Sequence, residues 1–263
     1  MRGAPRELRL GITPVFLDND AEILTALRSA LQEAAGQRVQ FEQRRTYEEV
    51  TGMLLEGAIE AAWLCGYPFL QHRATLALMA VPLWHGKPMY QSYVIVREGD
   101  DAKSLADLRG GTHAFSDPNS NSGFLVTASD LALKGEKAED FFRRTIFTYG
   151  HRNVVRAVAD GLARSGSVDG YVWESLAALE PELAGRTRVV TRSEWLGFPP
   201  FCTRAGHLAD PGVAALRKAL LGLDRTEAGR HALGLLLLDG MTAGDVSLFD
   251  GIARRMRLLA SLR

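Results

Sequence analysis

Cysteine is scarce in this chain. The 263 residues include two, Cys65 and Cys202. There is no CxxC pair and no His/Cys spacing that suits zinc, which argues against a metal-ribbon protein or a disulfide framework. Sequence separation does not decide whether the two are bridged; two small buried apolar residues is the simpler reading. Neither sign of charge is in excess, since 31 basic residues balance 31 acidic ones. That argues against a nucleic-acid partner or an anionic membrane surface. Long hydrophobic runs are missing too. The longest, Ala74 to Trp84, is too short to span a bilayer. The charged start Met1-Arg2-Gly3-Ala4-Pro5-Arg6-Glu7 lacks the apolar segment of a signal peptide. No internal repeat, low-complexity tract or strong nucleophile–base pair is present. What is there is ordinary globular composition, 46% hydrophobic and 24% charged, enough for one large domain or two lobes of about 100–150 residues.

Apolar periodicity sets out the elements. Arg9 to Val15 reads as a strand bounded by Pro14, and Asp18-Asn19-Asp20 supply N-cap chemistry for a helix. Ile23, Leu24, Leu27 and Leu31 fall on one face of that helix, which Gly36 closes. Thr46-Tyr47-Glu48-Glu49 is a capping-box start. Ala58 to Leu64, Leu76 to Leu83, Tyr90 to Arg97, Thr112 to Phe115, Ile146 to Tyr149 and Arg188 to Thr191 read as strands. Val168 to Leu176 passes from strand to helix. Helices are expected at Ser122–Lys134, Asn153–Gly161, Ala214–Leu223 and Phe249–Leu262. The basic residues Arg254, Arg255, Arg257 and Arg263 read as the wet face of the last of these. Alternation of strands and helices predicts an α/β fold with mainly parallel sheets flanked by helices.

One stretch carries chemistry: Phe115-Ser116-Asp117-Pro118-Asn119-Ser120-Asn121-Ser122-Gly123-Phe124-Leu125. It reads as a strand end, a polar turn and a helix start. Helix starts present backbone donors and partial positive charge, which suit an oxyanion. Serine hydroxyls add further donors for the oxygens of a small anion. An ordinary polar N-cap would look the same from this stretch alone. Trp63 and Trp173 read as core. Cys65, at a strand end before Gly66-Tyr67-Pro68, reads as a buried inert thiol or as a thiol able to meet a soft oxyanion such as arsenite.

The order of short motifs resembles the phosphonate, phosphite and phosphate-binding proteins of ABC importers, a branch of the type II periplasmic binding proteins. The matching pieces run nearly end to end. They are Leu10-Gly11-Ile12-Thr13-Pro14, Gly57 to Trp63, Tyr90-Gln91-Ser92, Leu105-Ala106-Asp107-Leu108-Arg109-Gly110, Asp117 to Gly123, Gly150-His151, Val168-Asp169-Gly170-Tyr171, Gly197-Phe198-Pro199-Pro200 and Phe249-Asp250-Gly251-Ile252. The resemblance implies two α/β lobes with a ligand cleft between them, one from residues 1–91 and 200–263, the other from 92–199. It assigns the oxyanion turn to Ser120, Asn121 and Ser122, although the family usually has Ser, Thr or His where Asn121 stands. It assigns further ligand contacts to Tyr47, Tyr90, Ser92, His151 and Asp169, with Tyr171 and Glu174 close enough to contribute.

By the same resemblance the protein captures a small tetrahedral oxyanion as a monomer in the periplasm, for a membrane permease. It needs no cofactor or metal and performs no catalysis. No signal peptide is visible in this chain, which leaves a cytoplasmic location open. It also leaves open a ligand-sensing domain for a signalling partner, or an enzyme on the same fold, for which His151 with Asp169 or Glu174 is the candidate acid–base set.

Overall fold

The computed structural model describes residues 7–13 and 21–261. The expected strand end at Pro14 and Val15 and the N-cap at Asp18-Asn19-Asp20 lie outside the described residues. Among these residues the chain forms two compact α/β units. The first comprises 7–13, 21–89 and 197–248; the second comprises 90–196 and 249–261. The short strands Met89–Tyr90 and Leu196–Gly197, where the chain passes from one unit to the other, pair with each other.

The first unit is built on a six-stranded sheet. Leu8–Ile12 lies between Val39–Gln43 and Ala61–Trp63, parallel to both. Phe201–Arg204 then pairs antiparallel with Ala61–Trp63 and with Leu76–Leu83, and Gly240–Thr242 closes the edge antiparallel to Leu76–Leu83. Helix Tyr47–Glu56 starts with the expected capping box: Thr46 accepts from the Glu49 N–H, and the Glu49 carboxylate accepts from Thr46. The helix ends at Gly57, whose φ of 80° is a left-handed position that glycine takes without strain. Leu10, Leu31, Val50, Leu54 and Ile59 fill the core. Trp63 is core as well: it stacks on Phe201 and donates its indole N–H to Pro199 O at 2.9 Å. Cys65 and Cys202 are both buried and are not joined by a disulfide.

The second unit has a five-stranded sheet in the order Thr187–Arg192, Ser92–Arg97, Ser165–Asp169, Thr112–Phe115, Arg144–Phe147. The last three run parallel, and Ser92–Arg97 is antiparallel to both its neighbours. Val94, Val96, Phe115, Leu131, Phe141 and Phe142 pack one core cluster.

As expected, most strands of each sheet run one way; Phe201–Arg204 and Gly240–Thr242 run against the rest in the first sheet and Ser92–Arg97 in the second. The strand that follows each crossing (Phe201–Arg204 or Ser92–Arg97) enters without a helical crossover and so runs against its neighbours. Two expectations are corrected. The last helix, Asp250–Ala260, belongs to the second unit, where it packs on helix Val126–Ala132; it was expected in the first. Finally, Arg255 is not on that helix's wet face. Its side chain is 12% exposed and ion-paired with Glu194 and Asp130.

Candidate functional site

The sheet of the second unit gathers most of the candidate residues along one edge. The parallel strands Thr112–Phe115, Arg144–Phe147 and Ser165–Asp169 all end there, and the antiparallel Ser92–Arg97 begins there, with Ser92 opposite Asp169. Carboxyl ends of parallel strands are where α/β sheets place ligands. Phe115 leads into the Ser116–Ser122 turn, Phe147 into the turn that delivers His151, and Asp169 stands at its own strand end. Tyr149, just before His151, has a φ of 51°. A bulky residue in that left-handed region marks a backbone held by its surroundings.

The expected helix at Ser122 opens as something wider. Asn121–Leu125 is a π-type turn before the α-helix Val126–Ala132: Leu125 donates to Ser120 O at 3.0 Å and Val126 donates to Asn121 O. Such wide turns recur at functional sites. Ser120 caps it, its Oγ accepting from the Gly123 N–H at 3.0 Å. An acceptor in that bond, the Ser120 hydroxyl keeps its proton for donation elsewhere. The backbone N–H groups at the start of a helical segment have no intrahelical acceptor. Gly123 is required by close approach, because a Cβ there would lie 1.8 Å from Ser116 Oγ.

Asn121 donates its amide to the Tyr90 hydroxyl at 2.8 Å. Ser92 holds the turn from behind: its hydroxyl donates to Ser122 O at 2.7 Å. His151, the first residue of helix His151–Ala159, is 2% exposed, and its Nδ1 accepts the Asp169 N–H at 3.1 Å. That bond puts the ring proton on Nε2 and makes Nε2–H the donor. Burial pushes the ring's pKa down to about 3, so it donates as a neutral imidazole rather than as a cation.

Asp169 starts helix Gly170–Leu179, its Oδ1 accepting the N–H groups of Tyr171 and Val172 at 2.9 and 3.3 Å. Burial pushes its carboxyl up to about 8, against the pull of those two N–H groups and of the Ser122 hydroxyl. The Asp169 backbone, not its carboxylate, therefore orients His151. Tyr171 is buried beside Asp169, and its phenol is pushed up by burial and by that carboxylate. Glu174 lies one turn along the same helix and accepts the Tyr93 hydroxyl at 2.6 Å; burial and this bond push the Tyr93 phenol up to about 12. Tyr47 belongs to the first unit, in the first turn of helix Tyr47–Glu56, and is buried.

Several residues around the site were not singled out in the sequence. Ser193 bonds to Ser92 in both directions through its backbone N–H and its hydroxyl. Beneath the edge, His113 lies between Ser165 Oγ and Ser167 Oγ at 2.7 and 2.8 Å, and Ser167 meets Thr127 at 2.6 Å. The alternating Ser165-Gly166-Ser167 on a buried strand was the one available signal. Among the described residues, no group of three or more His, Cys, Asp or Glu is placed to hold a metal ion.

The fold is that of the two-lobe periplasmic binding proteins. A binding protein component of an ABC phosphonate transporter from Pseudomonas aeruginosa superposes with a TM-score of 0.89 at 20% identity, covering 99% of this chain and 90% of that one. PhnD1 from Prochlorococcus marinus in complex with methylphosphonate superposes at 0.85 with 16% identity, covering 98% and 99%. A Xanthomonas citri protein bound to chloride ion superposes at 0.70 with 20% identity, covering 97% of each chain. Residues 10–249 match the family described as "ABC transporter, phosphonate, periplasmic substrate-binding protein". The chain belongs to that family of substrate-binding proteins.

Proposed function

We propose that this protein captures a small tetrahedral phosphorus oxyanion (a phosphonate, phosphite or phosphate) on the turn Ser120-Asn121-Ser122 and hands it to the membrane permease of an ABC importer. The observation that carries the reading is the capped wide turn facing the same sheet edge as His151. It sets out neutral, fixed donors: helix-start N–H groups, the Ser120 hydroxyl and the His151 Nε2–H. Oriented dipoles of this kind hold an anion without a counter-charge and need little reorganisation when it binds. That the Prochlorococcus relative is described with methylphosphonate supports the ligand class.

A thermal-shift series with phosphate, phosphite, methylphosphonate, 2-aminoethylphosphonate, sulfate and arsenite tests the reading. A ligand that binds only the native state raises the melting temperature by linkage. At least one phosphorus oxyanion is expected to give a clear rise and sulfate none. A flat response to the whole series would overturn the proposal.

Asp169 gives that capture a pH dependence. Below about 8 its buried carboxyl holds a proton and is neutral, so it donates to or tolerates an anion. Above that value it is a carboxylate beside the bound anion. Affinity for methylphosphonate is therefore expected to fall as pH rises through about 8. Asp169→Asn removes the titration while keeping the helix cap, so its affinity should vary less over the same range; the comparison cancels the ligand's own ionisation. Identical pH profiles, measured by calorimetry, would rule out this role for Asp169.

A further inference from the structure

Arg255 joins three segments that meet behind the oxyanion turn. Its Nε and Nη2 donate to the two carboxylate oxygens of Glu194 at 2.9 and 2.5 Å. Its Nη1 donates to Asp130 Oδ1 at 2.6 Å, Ser129 Oγ at 2.7 Å and Val126 O at 3.1 Å. Two routes lead from this guanidinium to the turn. The first runs through helix Val126–Ala132, which continues the turn without a break. The second runs through Glu194 to its neighbour Ser193. The Ser193 Oγ donates to Glu194 O at 2.7 Å and accepts the Ser92 N–H at 2.9 Å. Ser92 in turn donates its hydroxyl to Ser122 O at 2.7 Å. The turn is thus fastened at its Ser122 carbonyl and at the helix that follows it, and both fastenings meet at one side chain.

We infer that Arg255 is a positioning residue for the oxyanion turn: its guanidinium fixes the direction in which the donors of residues 120–123 point. The inference rests on the reading of that turn as the binding site. Fixed donors favour an anion only while they are held within about half an ångström of the productive geometry by their supporting shell. A planar guanidinium can grip a carboxylate with two nitrogens while a third reaches a carbonyl; a lysine ammonium cannot. The competing role, fastening the last helix to the unit, would use the same bonds but would affect stability alone.

The test uses the full chain with Arg255→Ala, Arg255→Lys, Glu194→Gln and Ser92→Ala, and methylphosphonate as the probe. Affinity is read by calorimetry well below each variant's melting transition. Amide hydrogen exchange of residues 120–126 is read without ligand. Arg255→Ala is expected to weaken binding about tenfold, with Arg255→Lys failing to restore it. Exchange in the turn should quicken in both. Ser92→Ala and Arg255→Ala together should cost less than the sum of the two, because they act on one turn. Affinity within about twofold of wild type and unchanged exchange in the turn, with only a lower melting temperature, would overturn the inference. If Arg255→Ala does not fold, Glu194→Gln and Arg255→Lys decide by the same two readings. If wild type does not bind methylphosphonate, affinity is read with whichever phosphorus oxyanion of the series binds; if none binds, the binding reading fails, and the exchange comparison still decides whether Arg255 orders the turn.

Discussion

Ser120→Ala combined with Ser122→Ala is expected to weaken methylphosphonate binding by on the order of 10²-fold, since the one hydrogen bond that the Ser120 hydroxyl would give the anion contributes about 1.5–3 kcal/mol. The two hydroxyls act differently. Ser120 caps the turn by accepting from the Gly123 N–H, which leaves its proton for donation elsewhere. Ser122 reaches the Asp169 carboxylate, so its loss also removes a donor from a buried acid. The fold should survive. Loss of a cap costs about 1 kcal/mol, which in a chain of this size lowers the melting temperature by roughly 2–4 °C. Calorimetry on the double variant beside wild type checks both statements. An affinity within about tenfold of wild type would move the site away from this turn.

Acid should destabilise the unliganded protein well before ordinary carboxylates are neutralised. His113 and His151 are buried and uncharged, and burial pushes each ring down to about 3. Unfolded, each titrates near about 6.5. Their native pKa values are depressed, so the stability they contribute is present above about pH 6.5 and is lost as pH falls toward about 3. Asp169 opposes them. Its native value is raised to about 8, so its contribution is complete below the usual carboxylate range and is lost as pH rises through about 8. Between about pH 4.5 and 6 the two histidines outweigh the one acid by about one proton, a slope of about 1.4 kcal/mol per pH unit. Arg164 first, then the Ala102 N–H, hold the Asp100 carboxyl below its ordinary value against burial, so its contribution fades only at lower pH. Urea unfolding at pH 7, 6, 5 and 4 should show the decline, and His113→Gln should flatten it by about one proton. Stability that does not change over that range would contradict neutral burial of both rings.

What could be read from the residues was local. The Thr46/Glu49 capping box, the strand Leu76–Leu83 and the strand Thr112–Phe115 follow from side-chain pattern and appear with those bounds. Strand direction does not follow from pattern, because Phe201–Arg204 and Ser92–Arg97 would read the same whichever way they ran. The wide turn at Asn121–Leu125 also has no pattern of its own, since its polar start suits an ordinary helix N-cap equally well. Arg255 shows the same limit from the other side. An arginine at helical spacing among Arg254 and Arg257 looks exposed until Glu194, more than sixty positions earlier in the chain, is folded against it. Buried His113 sits alone in an apolar strand, and its partners lie about fifty residues away. Chemistry carried by contiguous residues was legible; chemistry assembled across the sheet was not.

The most direct measurement is a crystal structure of the protein grown with methylphosphonate. The account predicts phosphonate oxygens within about 2.7–3.1 Å of Ser120 Oγ, of the backbone nitrogens at the start of the turn and of His151 Nε2. Methylphosphonate held elsewhere, with the turn and His151 making no contact to it, would contradict the account.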